Sequence, residues 1–554
     1  MAIDVVSSSS IALGILAHQT LFRRGDWELY GKTIFEISST VLVLAAWALW
    51  RLEEAPWSMV AVIQSLRSLG IYAGSFLLGL YGSLIVYRLG FHPLRRFPGP
   101  YAAKLSAFWL VFPGGQTARR LRRLHQVHGD FVRIRPREIS ISHPDAVQAV
   151  HGVHSACLRG PFYDVTHPSR SLLMTRDVAF HSQRRKAWDR GLGTAALSRY
   201  MKGLLENQAV FMTRLNDALD RSLDITTLAS LAAYDCMGEA VFGMKFQTMQ
   251  REDGREILQE KQDAKLMTGI VGFVPWSFVF IAYLPFVSFR SRLQELYSQM
   301  LQRRRNAKTQ LPDLYSYLLQ QQETGKGNVK LQDQDMVADC ELALTAGSET
   351  VAVTMACMFY LLAQNPDKRR ALQEEMDRVF GESNTPEHVY QDLATAPFLQ
   401  GCIKETLRLY PPTVSGQQRL TPPAGTKIAG RWIPGDTIVT TPIYAIQRDP
   451  RNFIDPDRFV PERWSSKPEM VLRRDAFFPF SMGRFSCAGR ALAMMELTVL
   501  MSSAVRSFDF TLAPDTSVEA GKFQEDVPFL DFLTISLPSI HLVFTRRGDS
   551  LLEI

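Results

Sequence analysis

The stretch Phe480-Ser-Met-Gly483-Arg484-Phe485-Ser-Cys487-Ala-Gly489 decides the reading of this chain. Glycine at 483 and 489 lets the backbone turn tightly and approach a flat ligand without interference from a Cβ. The segment that follows, Arg490-Ala-Leu-Ala-Met-Met-Glu-Leu497, consists mostly of strong helix formers. Cys487 therefore stands just before a helix N-terminus, where the positive end of the helix dipole favours an anionic sulfur. Backbone N–H groups of a tight loop add to that stabilisation. The other five cysteines (157, 236, 340, 357 and 402) are widely spaced and form no Cys-x-x-Cys pair. They are expected as small buried apolar residues, not as disulfides or zinc ligands.

Upstream, Met336 to Gln364 runs without proline, with Asp333 and Asp335 ahead of it and Asn365-Pro366 behind. The pattern predicts one helix of about 43 Å, long enough to cross a large domain. Ala346-Gly347-Ser348-Glu349-Thr350 stands in its middle. Gly347 costs about 1 kcal/mol there relative to alanine, for which either close helix packing or room for a small ligand would compensate. Glu405-Thr-Leu-Arg408 sets a carboxylate and a guanidinium three residues apart on one helical face. Pro411-Pro412 follows, and Phe459-Val-Pro461-Glu-Arg463-Trp464 comes later. Phe180-His181-Ser-Gln-Arg184-Arg185-Lys186 leads to Trp188 and places His181 and Arg185 on one face of a helix.

At the other end, Ser68 to Tyr87 is an uncharged apolar run of twenty residues, followed by Arg88, Arg95, Arg96 and Phe97-Pro98-Gly99-Pro100. A helix of that length crosses a hydrocarbon core of roughly 30 Å. The adjacent arginines place its C-terminal end in the cytoplasm. Ile37–Trp50 and Ile11–Phe22 are shorter apolar segments. One to three spans fit; three would put Arg23-Arg24 in the cytosol and Glu53-Glu54 in the lumen. The expected division is a membrane segment over 1–90 and a catalytic body over 91–554, since no linker or internal repeat interrupts the latter.

The 554 residues are 46% apolar and 21% charged, which excludes a disordered chain. The net charge of +7 is dispersed and gathers into no basic tract. Nucleic acid is not expected as a partner; an anionic membrane surface or an acidic protein fits better.

From Tyr87 to about Arg547 these motifs, in this order, resemble the cytochrome P450 family, and fungal microsomal members in particular. The resemblance implies a mainly α fold with a minor β-sheet behind an N-terminal transmembrane anchor. It implies haem b with Cys487 as axial iron ligand in a loop framed by Phe480, Gly483 and Gly489. It implies Glu349 and Thr350 as the acid–alcohol pair that passes protons to bound dioxygen, with Val351 where a second hydroxyl often stands. His181, Arg185 and Arg419 match residues that bind the haem propionates, and Glu405, Arg408 and Arg463 match a buried triad behind the haem. One position departs: Phe485 replaces the arginine that pairs with a propionate, which leaves that contact missing or passes it to Arg484.

The activity so implied is insertion of one oxygen atom of O2 into a lipophilic small molecule, in secondary-metabolite biosynthesis. Electrons would come from an NADPH–cytochrome P450 reductase, docking on a basic surface that includes Arg484 and Arg490. The location implied is the endoplasmic reticulum membrane, with the catalytic body cytosolic. Two rivals stay open: an isomerase or dehydratase that uses no O2, and a non-catalytic binding module. Strands are expected at Phe131–Ile134, Ile139–Ser142, Lys427–Ile433 and Thr437–Thr440, and at Leu533–Leu537 and Ile540–Phe544 flanking Pro538-Ser539. The apolar region Thr268–Val287 is expected to roof the substrate pocket.

Overall fold

The computed structural model describes residues 2–51, 58–111, 115–254, 274, 276, 288–306, 312–324, 331–381, 386–514 and 529–548. The expected roof, Thr268–Val287, lies outside the described residues except for Val274 and Trp276. The chain forms two compact units. The first comprises residues 1–112, 131–139 and 270–287, and the second holds the rest.

The first unit is built on three helices, Ala2–Ala17, Gly31–Arg51 and Met59–Val86. A π-helical turn, His18–Phe22, extends the first, and another, Tyr87–Phe91, extends the third. The first and third run in the same direction, because Ile11 meets Gly79, Gly14 meets Phe76 and Leu80, and His18 Nδ1 lies 2.8 Å from Ser83 Oγ. Their backbones touch: a Cβ on Gly14 would sit 2.1 Å from the Phe76 carbonyl, and one on Gly79 2.1 Å from that of Ile11. Small residues at a crossing are how helices pack where lipid supplies no hydrophobic drive. The second and third helices are long and apolar enough to cross a membrane, and their most apolar windows are 0% and 6% buried.

The second unit is mainly helical. Asp333–Gln364 is as apolar as a membrane span, but 67% of its most apolar window is buried inside protein, which makes it a core helix. It starts with a capping box between Gln332 and Asp335. Helices Ile225–Phe242, Pro397–Leu409 and Arg490–Ser507 pack around it. The sheets are small. Ser222–Asp224, His541–Arg546 and Phe508–Leu512 form one of three antiparallel strands. Leu158–Arg159 pairs with Arg419–Leu420, which pairs with Ile438–Thr440.

One strand expectation is corrected. Lys427–Ile433 is no single strand but a hairpin, Thr426–Ile428 with Arg431–Ile433, because Ala429 and Gly430 take φ of 44° and 79° at its turn. The strands on either side of Pro538-Ser539 do not pair with each other. Thr534–Ser536 pairs with Leu530–Phe532, while His541–Arg546 joins the three-stranded sheet. Phe131–Arg135 and Glu138–Ile141 are strands close to where the alternation placed them.

One polar cluster fixes the chain behind the cysteine loop. Glu405 is fully buried, and its carboxylate accepts from Arg408 Nη2 at 2.7 Å and Nε at 2.9 Å. It also accepts from Arg463 Nε at 2.9 Å, Trp464 Nε1 at 2.9 Å and the Val460 N–H at 3.1 Å. Burial alone would raise its pKa, but the two arginines and the amide outweigh it and hold the carboxyl below its usual range. Glu405→Gln leaves two buried guanidiniums facing a neutral amide and should cost about 3–5 kcal/mol. Chemical denaturation of the purified full-length protein reads that loss; an unchanged midpoint would contradict it. The wild-type contribution holds at neutral pH and fades as pH falls through the lowered folded-state pKa, because protonation then breaks the cluster.

Candidate active site

The cysteine loop is shaped by its glycines. Ser481 and Gly483 take φ of 55° and 66°. A Cβ on Gly483 would lie 2.3 Å from the His151 carbonyl oxygen, so the loop closes against the neighbouring chain only with glycine there. The Cys487 N–H donates to the Phe480 carbonyl at 2.9 Å and fixes the turn. Helix Arg490–Ser507 starts directly afterwards, with Gly489 as its N-cap.

Of six free cysteines, five are buried and Cys487 alone is exposed. Beside its sulfur, the place of a Gly489 Cβ is open space, with Cys487 Sγ itself the nearest atom at 3.9 Å. The surrounding protein raises the thiol pKa, while the N–H groups of Gly489 and Arg490 and the charges of Arg185 and Arg490 pull it down. Those donors are the ones a thiolate needs. Among the described residues no three His, Cys, Asp or Glu side chains are grouped to hold a metal ion. A metal on Cys487 would therefore bring most of its own ligands, as in a macrocycle.

Arginines converge on the loop. His181 and Arg185 stand on helix Val178–Gly191, which Asp177 caps by accepting from the Ala179 and Phe180 N–H groups. Arg185 Nη1 donates to the Ser486 carbonyl at 2.5 Å, next to Cys487, and its Nε reaches Asp189 at 2.6 Å. Arg419 is buried on its strand, and its guanidinium lies 5.1 Å from the Phe485 ring. Arg484 is exposed. Arg159, which sequence reasoning missed, lies 4.4 Å from the same ring. His181 packs edge-on to Phe485 at 4.8 Å, and its Nδ1 is buried without a partner. Burial, then Arg159, Arg185, Arg484 and Arg419, lower the His181 pKa to about 3, so the ring is neutral. A set of cations with an orphaned buried ring nitrogen fits a ligand that carries carboxylates, as haem does.

The long helix passes the site with Ala346 exposed in a span that is otherwise largely buried. Thr350 Oγ1 donates to the Ala346 carbonyl at 2.9 Å. Glu349 Oε2 accepts from Thr534 Oγ1 at 2.9 Å. Thr534 belongs to the C-terminal region, and no sequence signal linked it to Glu349. The place of a Gly347 Cβ is filled by Met237 of helix Ile225–Phe242, whose Sδ and Cε would be 2.5 Å away. Close helix packing thus accounts for this glycine. Phe480 is half-buried under the Arg490 guanidinium, 5.7 Å from its ring. In haem-depleted protein a thiol reagent should modify Cys487 well before the other five cysteines, and bound haem should protect it. Peptide mapping that finds Cys236 or Cys340 modified first would contradict this.

Comparison with known proteins agrees with this site. The family described as Cytochrome P450 matches residues 96–540. A cytochrome P450 monooxygenase, FCK2, of Fusarium pseudograminearum is 34% identical over 549 residues, covering 97% of this chain and 96% of that protein. The cytochrome P450 monooxygenase nodW of Hypoxylon pulicicidum is 33% identical over 566 residues, the full length of both. Tryprostatin B 6-hydroxylase of Aspergillus fumigatus is 32% identical over 506 residues, 90% of this chain and 89% of that protein. With a family match over most of its length and relatives that align end to end, this chain belongs to the cytochrome P450 family, the haem-thiolate monooxygenases.

Proposed function

We propose that the protein binds haem b through Cys487 and oxygenates a lipophilic small molecule of secondary metabolism, drawing electrons from an NADPH–cytochrome P450 reductase. The observation that carries this is Cys487: the one exposed cysteine, set at a helix N-terminus with two backbone N–H groups on its sulfur. Haem held by a thiolate supplies the oxygen chemistry, since the electron-rich sulfur favours O–O cleavage.

The chain's own residues bind, orient and deliver protons. Arg185 and Arg419, with His181, offer donors to the haem carboxylates, and a guanidinium fork suits a carboxylate better than a lysine does. Thr350 donates its hydroxyl hydrogen bond to the Ala346 carbonyl, which leaves the lone pairs on Oγ1 to accept a hydrogen bond. Glu349, whose Oε2 accepts from Thr534 Oγ1 at 2.9 Å, supplies the acid of the pair. Arg484 and Arg490 are both exposed beside the cysteine loop and suit an acidic reductase surface.

Microsomes that contain the protein and its reductase test the proton path. Glu349→Gln and Thr350→Ala should lower product formation about 10²-fold, the scale of a lost proton-transfer group. NADPH use should continue in both, with its electrons diverted to peroxide. Full coupling in either variant would refute the assigned roles.

For the membrane unit we infer three spans, Ala2–Phe22, Gly31–Arg51 and Met59–Phe91, with the N-terminus in the lumen of the endoplasmic reticulum and the second unit in the cytosol. Support comes from the parallel first and third helices and from Arg23 stacked 4.9 Å from the Tyr87 ring, which brings both basic ends together. A glycosylation acceptor fused ahead of Met1 should be glycosylated, and one fused after Ile554 should not. The reverse pattern, or modification at neither end, contradicts the three-span arrangement.

A further inference from the structure

Phe485 stands where the family signature has an arginine, and the surroundings of its ring show what replaces that cation. Arg159 and Arg419 are register partners across the antiparallel pair Leu158–Arg159 and Arg419–Leu420. Both are buried, at 4% and 1% exposure, and their guanidinium carbons lie 4.4 and 5.1 Å from the Phe485 centroid. Like charges directly opposite on neighbouring strands repel. Among the described residues neither arginine meets a carboxylate. Arg159 Nη1 donates to the carbonyls of Leu172 at 2.9 Å and Thr175 at 3.0 Å, and its Nε is buried with no partner. Arg419 donates to the Gln418 carbonyl at 2.9 Å and to Gln417 Oε1 at 3.1 Å. The aromatic face attracts both guanidiniums and offsets part of their repulsion, but it supplies no negative charge. His181, edge-on to the same ring, adds no acceptor for them at its orphaned Nδ1. The pair is held in place and still lacks an anion.

We propose that Arg159, held opposite Arg419 by the Phe485 ring, binds a haem carboxylate in place of the missing arginine, with Phe485 as the positioning residue. This rests on the haem-thiolate reading above. A buried cation pair accepts a carboxylate from any source, so the test separates haem from substrate.

The test is the rate at which the full-length holoprotein gives up haem to excess apomyoglobin. Arg159→Leu should lose haem about ten-fold faster or more, the effect of one charged hydrogen bond. Phe485→Leu should fall between that variant and the wild type. Adding Phe485→Arg to Arg159→Leu should restore retention, since the cation returns at its usual position. Reconstitution with haem dimethyl ester, which has no carboxylate to bind, should abolish the difference between wild type and Arg159→Leu. Should the leucine variant fail to fold, Arg159→Lys and the wild type with ester and free acid carry the same comparison.

Unchanged retention in Arg159→Leu holoprotein would overturn the proposal and leave the pair to a substrate carboxylate. A difference that persists with the ester would also overturn it, because Arg159 would then act only on the fold. Wild-type protein that takes up no haem at all would refute the underlying haem reading instead.

Discussion

The Glu405 carboxylate is the contact on which the geometry around Cys487 depends. It is buried, charged and bonded on every side, and its partners come from two distant parts of the chain. Arg408 is a neighbour on its own helix; Arg463, Trp464 and Val460 belong to a later segment. From there the constraint passes forward by contact. Trp464 packs on Phe477 with ring centroids 4.5 Å apart. The Phe478 N–H donates to Gln447 Oε1 at 3.1 Å, and Gln447 Nε2 donates to the carbonyls of Leu407 and Arg408. Phe478 in turn accepts from the Ser481 N–H at 2.8 Å, and Phe480 accepts from the Cys487 N–H. A cluster with no chemistry of its own thus sets the path of a loop whose sulfur must be placed to within a fraction of an ångström.

Arginines and amide dipoles converge on the cysteine loop, and one of them, Arg185, also bonds the Asp189 carboxylate through its Nε. Arg184 makes the contrast clear: one residue before Arg185, it is buried and paired with Asp339 of the long helix, so it belongs to the core. Arg185 turns to the Ser486 carbonyl instead. Adjacent arginines on a helix point about 100° apart, and that angle separates a structural role from one at the site.

The parts legible in the sequence were those encoded over short distances. The loop Phe480–Gly489, the long helix and the Glu405-x-x-Arg408 pair each depend on residues within a turn or two, where glycine, capping and helical spacing leave a signature. The membrane signals at the N-terminus, apolar length and flanking arginine, are equally local. What the sequence did not reveal was long-range or conformational. Nothing in Lys427–Ile433 announced that Ala429 would adopt a positive φ and split the segment into a hairpin. The Glu349–Thr534 bond joins residues 185 positions apart. Arg159 carried no motif, and its importance appears only when strand pairing sets it opposite Arg419. The exchange of arginine for Phe485 read as a loss in one dimension and as a platform for two arginines in three.

The central claim is that Cys487 binds haem iron as a thiolate. It is tested most directly by the absorption spectrum of the dithionite-reduced protein with carbon monoxide, for the wild type and for Cys487→Ala. Electron donation from an iron-bound thiolate would give a strongly red-shifted Soret band in the wild type and none in the variant. A haem-loaded, folded wild type with the shorter-wavelength band of an imidazole ligand, or a Cys487→Ala protein that keeps the red-shifted band, would contradict the account.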